Sequence, residues 1–238
     1  MIKLKDILLE GKPPSIFVPR RMEDRVERMI ALYVRNGSKG NLSLSDLKLT
    51  KLPDILKNVS VNGNFICYNN DLTSLEGAPK VVDGYFDCSV NSLTSLEGAP
   101  KTVGGDFYCS DNKLTSLEGA SITVGGDFYC NNNKLTSLQG APKSVGGDFL
   151  CNHNKLISLQ GASKTVGGDF LCNNNLLTSL EGAPSSVGRD FYCSENRLTS
   201  LDGAPKTISG DFYCYNNPVQ FTEQQVRAVC DVKGKILV

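Results

Sequence analysis

A cysteine returns every 21 residues through most of this chain, at Cys67, Cys88, Cys109, Cys130, Cys151, Cys172, Cys193 and Cys214. A repeat of that length is one supersecondary unit, too small to bury its own apolar side. It hides that side only against the next copy, so the chain must stack its copies into a solenoid. The unit reads most cleanly around Cys109, as Thr-Val-Gly-Gly-Asp-Phe-Tyr-Cys followed by Ser-Asp-Asn-Lys-Leu-Thr-Ser-Leu-Glu-Gly-Ala.

Within that unit, Phe107-Tyr108-Cys109 alternates, which predicts a short strand with Phe and Cys on one face and Tyr on the other. Leu114 and Leu117 complete the inward set, and Gly104-Gly105 is expected to turn the chain into the strand. An Asn stands three residues after every cysteine of the file: Asn70, Asn91, Asn112, Asn133, Asn154, Asn175, Asn196 and Asn217. Its amide is suited to pairing backbone groups left open where the chain leaves the strand, groups that are costly to bury unpaired. None of the eight is followed by x-Ser or x-Thr, so none is a glycosylation acceptor.

The order apolar-x-apolar-x-x-Asn-x-Leu-x-x-Leu resembles the leucine-rich repeat, with Phe and Cys at the first two apolar positions. Asn112-Lys-Leu-Thr-Ser-Leu-Glu and its copies are similar to the short bacterial type of that repeat, found in secreted effectors. The fuller wording LTSLEGAPKTVGGDFYC, with MIKLKDILLEGK at the start, resembles uncharacterised leucine-rich-repeat proteins of marine tailed bacteriophages. The resemblance implies a horseshoe-like leucine-rich-repeat solenoid. Its short parallel strands would line the concave side, extended and turn structure the convex side, with α-helical caps at both ends. It implies little about activity, because that fold serves binding, scaffolding and effector roles.

The expected organisation is an arm and capping helix over 1–40, about nine repeats over 41–217 and a cap over 218–238. A helix is predicted over 20–36, where Val26, Met29, Ile30, Tyr33 and Val34 form one apolar stripe and Asn36-Gly37 a stop. Arg20, Arg21, Arg25, Arg28 and Arg35 fall on its polar face, and residues 1–14 read as a loose arm or short helix. Asn41–Pro53 reads as a degenerate first repeat, with Leu42, Leu44, Leu49 and Leu52 in place and Leu47 instead of Asn. Thr222-Glu-Gln-Gln225 is a capping-box pattern that predicts a short helix to about Cys230.

Several chemistries are excluded by the spacing. A single file of thiols offers no tetrahedral set for zinc. Strands about 4.8 Å apart also hold cysteines farther apart than the Cβ separation of about 3.8 Å that a disulfide prefers. The cysteines are therefore expected as small buried hydrophobes. Gly-Gly-Asp-Phe at 104–107, 125–128, 146–149 and 167–170 superficially resembles the signature of cyclic-dinucleotide synthases, but it recurs at the repeat period and so reads as a turn. Calcium-binding β-rolls repeat every nine residues, not 21. His153 is the sole histidine and has no base or nucleophile at defined spacing, so no enzyme, metal or cofactor is predicted.

Residues 1–60 hold 12 Lys/Arg against 7 Asp/Glu, and residues 61–238 hold 13 against 18. This mild asymmetry lacks the clustered basic face of a nucleic-acid binder. There is no 18-residue apolar run, so no membrane insertion is expected. With no visible secretory signal, the chain is expected in the cytoplasm, that of the host cell if phage-encoded.

The alternation places two files of candidate binding residues on the concave face. Asp106, Asp127, Asp148, Asp169, Asp190 and Asp211 lie three residues before each cysteine. Tyr108, Tyr129, Leu150, Leu171, Tyr192 and Tyr213 lie one before it. Aspartates about 5 Å apart repel. Either backbone N–H groups of each aspartate's own Gly-Gly turn, or a cationic partner or bound cations, must offset that repulsion. Tyr beside Ser and Asn suits protein recognition. The expected function is a non-enzymatic module that binds a protein or peptide on this Asp/Tyr face. The alternative is a structural or decorative component, for example of a virion, with the solenoid as spacer. A regular Thr file, Thr73 to Thr199, leaves ice or glycan binding as a further reading.

Overall fold

A computed structural model of the protein describes residues 22–120 and 123–238. Each repeat coils once, and identical positions of successive coils pair in parallel 21 residues apart, as Phe107 with Phe128 and Phe128 with Phe149. The Phe-Tyr and Phe-Leu dipeptides and their counterparts in the outer coils form a ten-stranded parallel sheet that runs in chain order from Leu42–Ser43 to Ile236–Leu237. This is the Phe sheet below.

A second parallel sheet, of nine strands, is built from the residues just before Gly-Gly. It runs from Ser60–Val61 through Thr102–Val103 to Asp231–Val232. The sequence predicts only the Gly104-Gly105 turn ahead of the Phe strand, and Val103 stands just before that turn. The residue instead belongs to a strand whose Val points inward, and Val103 is 2% exposed. Each coil therefore has two sheet corners, and the Leu-Thr-Ser-Leu-Glu-Gly-Ala segment closes it with turns rather than helix.

The core is one continuous column. Phe107, Cys109, Leu114, Leu117 and Val103 of the third full copy are buried, and their counterparts repeat along the stack. Eight phenylalanines from Phe65 to Phe212 are fully buried, with neighbouring ring centroids 5.1–5.7 Å apart. Burying each such side chain contributes roughly 1.5–3 kcal/mol.

All nine cysteines are buried and unbridged. Thiols such as Cys109 and Cys151 donate to the carbonyls of Tyr129 and Leu171 in the next coil, at 3.2 Å each. The asparagines do what their spacing implied. Asn112 Nδ2 donates to Cys88 O at 3.1 Å and Cys109 O at 3.2 Å, and its Oδ1 accepts from Leu93 N at 3.0 Å. Each amide thus ties two successive coils through buried backbone groups.

At the amino-terminal end, helix α1 spans Met22–Arg35. It buries Val26, Ile30 and Tyr33, with Met29 and Val34 packed against the core. It ends at Asn36-Gly37, where Gly37 has φ +76° and Ser38 N donates back to Tyr33 O at 3.1 Å. Arg25 and Arg35 are exposed. The readings on residues 1–14, Arg20 and Arg21 lie outside the described residues.

Leu42 pairs with Phe65, a step of 23, and a 3-10 helix over Asp54–Asn58 takes up the longer connection. At the other end, helix α2 spans Glu223–Val229 and starts on a capping box between Thr222 and Gln225. Both ladders then continue for one more coil, with Ile208 paired to Val232 and Phe212 to Ile236.

Candidate functional site

On the outer face of the Phe sheet, three files run side by side. The first holds the aspartates, the second the Tyr/Leu positions, and the third Ser110, Asn131, Asn152, Asn173, Ser194 and Tyr215. The structure places the six aspartates and four tyrosines named as candidate binding residues on this one surface, with Leu150 and Leu171 in the same file, in register along the stack.

Each aspartate is held by the coil that follows it. Asp106 Oδ1 accepts the backbone N–H of Asp127 at 2.9 Å, Asp127 Oδ1 that of Asp148 at 2.8 Å, and Asp148 Oδ1 that of Asp169 at 2.8 Å. Asp169 serves Asp190 at 2.9 Å, Asp190 serves Asp211 at 2.8 Å, and Asp211 serves Lys235 at 2.7 Å. The sequence reading had weighed a bond to the aspartate's own Gly-Gly turn. The donor comes from 21 residues on instead, because parallel stacking brings the next coil's N–H to the carboxylate. These charge-assisted bonds offset the repulsion along the file. The neutral Asn64 does the same work near the start, accepting from Tyr85 N at 2.9 Å.

The second carboxylate oxygen takes the phenol. Tyr108, Tyr129, Tyr192 and Tyr213 donate to Oδ2 of Asp106, Asp127, Asp190 and Asp211 at 2.8, 2.8, 3.1 and 3.3 Å. The rings stack in pairs, Tyr108 on Tyr129 with centroids 4.6 Å apart and Tyr192 on Tyr213 at 4.3 Å. Burial first, then the bond to a carboxylate, pushes the phenols of Tyr108, Tyr129 and Tyr192 well above the ordinary tyrosine range. These tyrosines are half-buried and held in place by the carboxylates and by each other.

Asp148 and Asp169 differ from the other four aspartates. Their coils carry Leu150 and Leu171 instead of Tyr, so no phenol reaches them. Arg189 lies over them instead, with Nε 3.5 Å from Asp169 Oδ1 and Nη1 3.7 Å from Asp148 Oδ1. Burial is the main cause raising the Asp169 carboxyl above the ordinary range. The sequence reading missed Arg189. Its signal was Gly188-Arg189-Asp190, where the four copies just before it read Gly-Gly-Asp.

Among the described residues, no group of three or more His, Cys, Asp or Glu is arranged to hold a metal ion. No helix among them is long and apolar enough to cross a membrane.

No protein-family model matches the chain, and no curated protein matches its sequence. Solved structures do match its shape. YopM from Yersinia enterocolitica is similar over 91% of this chain, with a TM-score of 0.66 and 19% identity. This chain covers 47% of that one, about half the length of YopM. A Shigella effector LRR domain is similar over 92% of both chains, with a TM-score of 0.53 and 18% identity. The fold is thus a leucine-rich-repeat solenoid of parallel strands, and its structural neighbours include bacterial effector proteins.

Proposed function

We propose that the chain is a non-enzymatic interaction module that binds a protein or peptide along the Asp/Tyr face. The observation that carries this reading is the pinning of four phenols to carboxylates across one continuous surface. An aromatic ring already ordered before contact loses little conformational freedom when a partner covers it, so more of the contact energy remains as affinity. Leucine-rich-repeat folds generally mediate protein–protein contact, which agrees with the reading. The same surface would serve the isolated chain or a longer protein built on it.

The test is capture of partners by the full chain, read by mass spectrometry, beside the Y108S/Y129S/Y192S variant and a Y108F/Y129F/Y192F control. The serine variant is expected to lose its partner while keeping a native circular-dichroism spectrum, and the phenylalanine variant to retain most of it. Equal capture by the serine variant and the parent would overturn the proposal.

A further inference from the structure

The repeats agree along this face until its middle. Two adjacent coils replace Tyr with Leu, at Leu150 and Leu171, and the second Gly of the following coil becomes Arg189. Three consequences fall on one patch. First, among the described residues no hydrogen bond reaches Oδ2 of Asp148 or Asp169, the atom that takes a phenol in the other four coils. Second, removal of two rings opens a notch between Tyr129 and Tyr192. It is three coil steps wide, about 14 Å at sheet spacing, and Leu150 and Leu171 form its floor.

Third, Asn152 Oδ1, Asn173 Oδ1 and Ser194 Oγ lie in successive coils beside that floor, each buried and without a hydrogen-bond partner. Ser194 is 2% exposed. An unpaired buried oxygen costs roughly 1–3 kcal/mol, and three in a row are not explained by the packing of the stack itself.

Arg189 is a poor fit for the position it holds. Its side chain is 67% exposed, while Asp148 and Asp169 are 24% and 16% exposed. Its nitrogens stand 3.5 and 3.7 Å from oxygens that already accept backbone N–H groups, longer than the 2.7–2.9 Å of a charge-assisted bond. The free Oδ2 atoms remain for a better-placed guanidinium.

We propose that the notch formed by Asp148, Leu150, Asp169 and Leu171 is a subsite for an arginine side chain of a bound peptide, and that Arg189 covers it until that arginine arrives. The incoming guanidinium pairs with the two carboxylates, its aliphatic stem lies on the two leucines, and the side chains of Asn152, Asn173 and Ser194 turn outward to offer their unpaired oxygens to donors of the same peptide. Planar bidentate geometry favours arginine over lysine at such a pair. This inference rests on the reading that the Asp/Tyr face binds a protein or peptide.

The test uses the full chain and pools of capped ten-residue peptides, each pool with one position fixed as Arg, Lys, Ala or Glu, read by fluorescence polarisation. At one fixed position the Arg pool should bind at least tenfold tighter than the Ala pool and clearly tighter than the Lys pool. R189G places the usual repeat residue there, so it should fold, and it should tighten the Arg pool about threefold or more. D148N/D169N keeps an acceptor for the next coil's N–H, as Asn64 does. It should erase the preference for Arg, bringing the Arg pool to the level of the Ala pool measured on the same variant.

The proposal is overturned if Arg pools bind no better than Ala or Lys pools, if R189G weakens them, if D148N/D169N leaves the preference intact, or if no pool binds. Binding without an Arg preference that Y108S/Y129S/Y192S abolishes would remove the subsite and leave the face reading standing. Binding that survives that triple variant would remove the face reading as well.

Discussion

Two residues past each cysteine the chain adopts a left-handed conformation, with φ between 52° and 57° at Asn69, Val90, Asp111, Asn132, His153, Asn174, Glu195 and Asn216. Asn, Asp and His tolerate that region, while a β-branched side chain does not. His153 therefore sits where backbone geometry permits a histidine, and needs no catalytic explanation. Val90 is the strained member. It lies outside the core column, so replacing it loses little packing. V90N should raise stability by about 1 kcal/mol, the low end of the cost of a misfit left-handed residue. Urea unfolding with an unchanged slope and a higher midpoint would confirm it, and a lower midpoint would count against it. The Asn file three past each cysteine was legible in the sequence because its residue type is invariant in all eight copies. The left-handed file was not, because five residue types share it and only the backbone shows what they have in common.

At the scale of a single coil, the two sheet corners differ in how they show in sequence. Phe107-Tyr108-Cys109 betrays a strand by alternation, whereas Thr102–Val103 is two residues long and runs straight into Gly-Gly, with no period to read. The inter-coil aspartate bonds were hidden for a related reason, since each donor lies 21 or more residues from its acceptor. The glycines divide along the same lines. Gly119 has φ +87°, and a Cβ there would meet Glu97 N and lie 2.5 Å from the backbone carbon of Leu96, neither of which can move without breaking the stack. A Cβ at Gly126 would meet chiefly the side-chain oxygen of Asp106, and Arg189 shows that the fold admits a side chain at that place. G119A should therefore cost about 3 kcal/mol or more and G126A only about 1 kcal/mol. Equilibrium unfolding of both variants measures the ordering, and equal costs would refute this account of the turn.

Across the whole molecule the coils form a one-dimensional stack whose stability rests on neighbour contacts, and the thiol file runs along it as a shared titration. Burial pushes Cys67, Cys88, Cys109, Cys130, Cys151, Cys172 and Cys193 well above the ordinary thiol range, and Cys230 up to about 11. In the unfolded chain the same thiols ionise near pH 8.5. Below that pH both states are protonated and the thiols leave stability unchanged with pH. Above it only the unfolded chain gains by ionising, so stability falls as pH rises, by about 1.4 kcal/mol per pH unit for each buried thiol. The urea midpoint should fall only slightly between pH 7 and pH 8 and drop steeply by pH 9.5. A C130A/C151A variant starts lower because two core positions are under-filled, but its decline with pH should be shallower by two thiols' worth. Iodoacetamide at pH 8 should leave the native chain unlabelled and modify nine positions once it is unfolded. A midpoint constant from pH 8 to pH 9.5, or prompt labelling of the native chain, would mean that the sulfurs do not line the column that every coil shares.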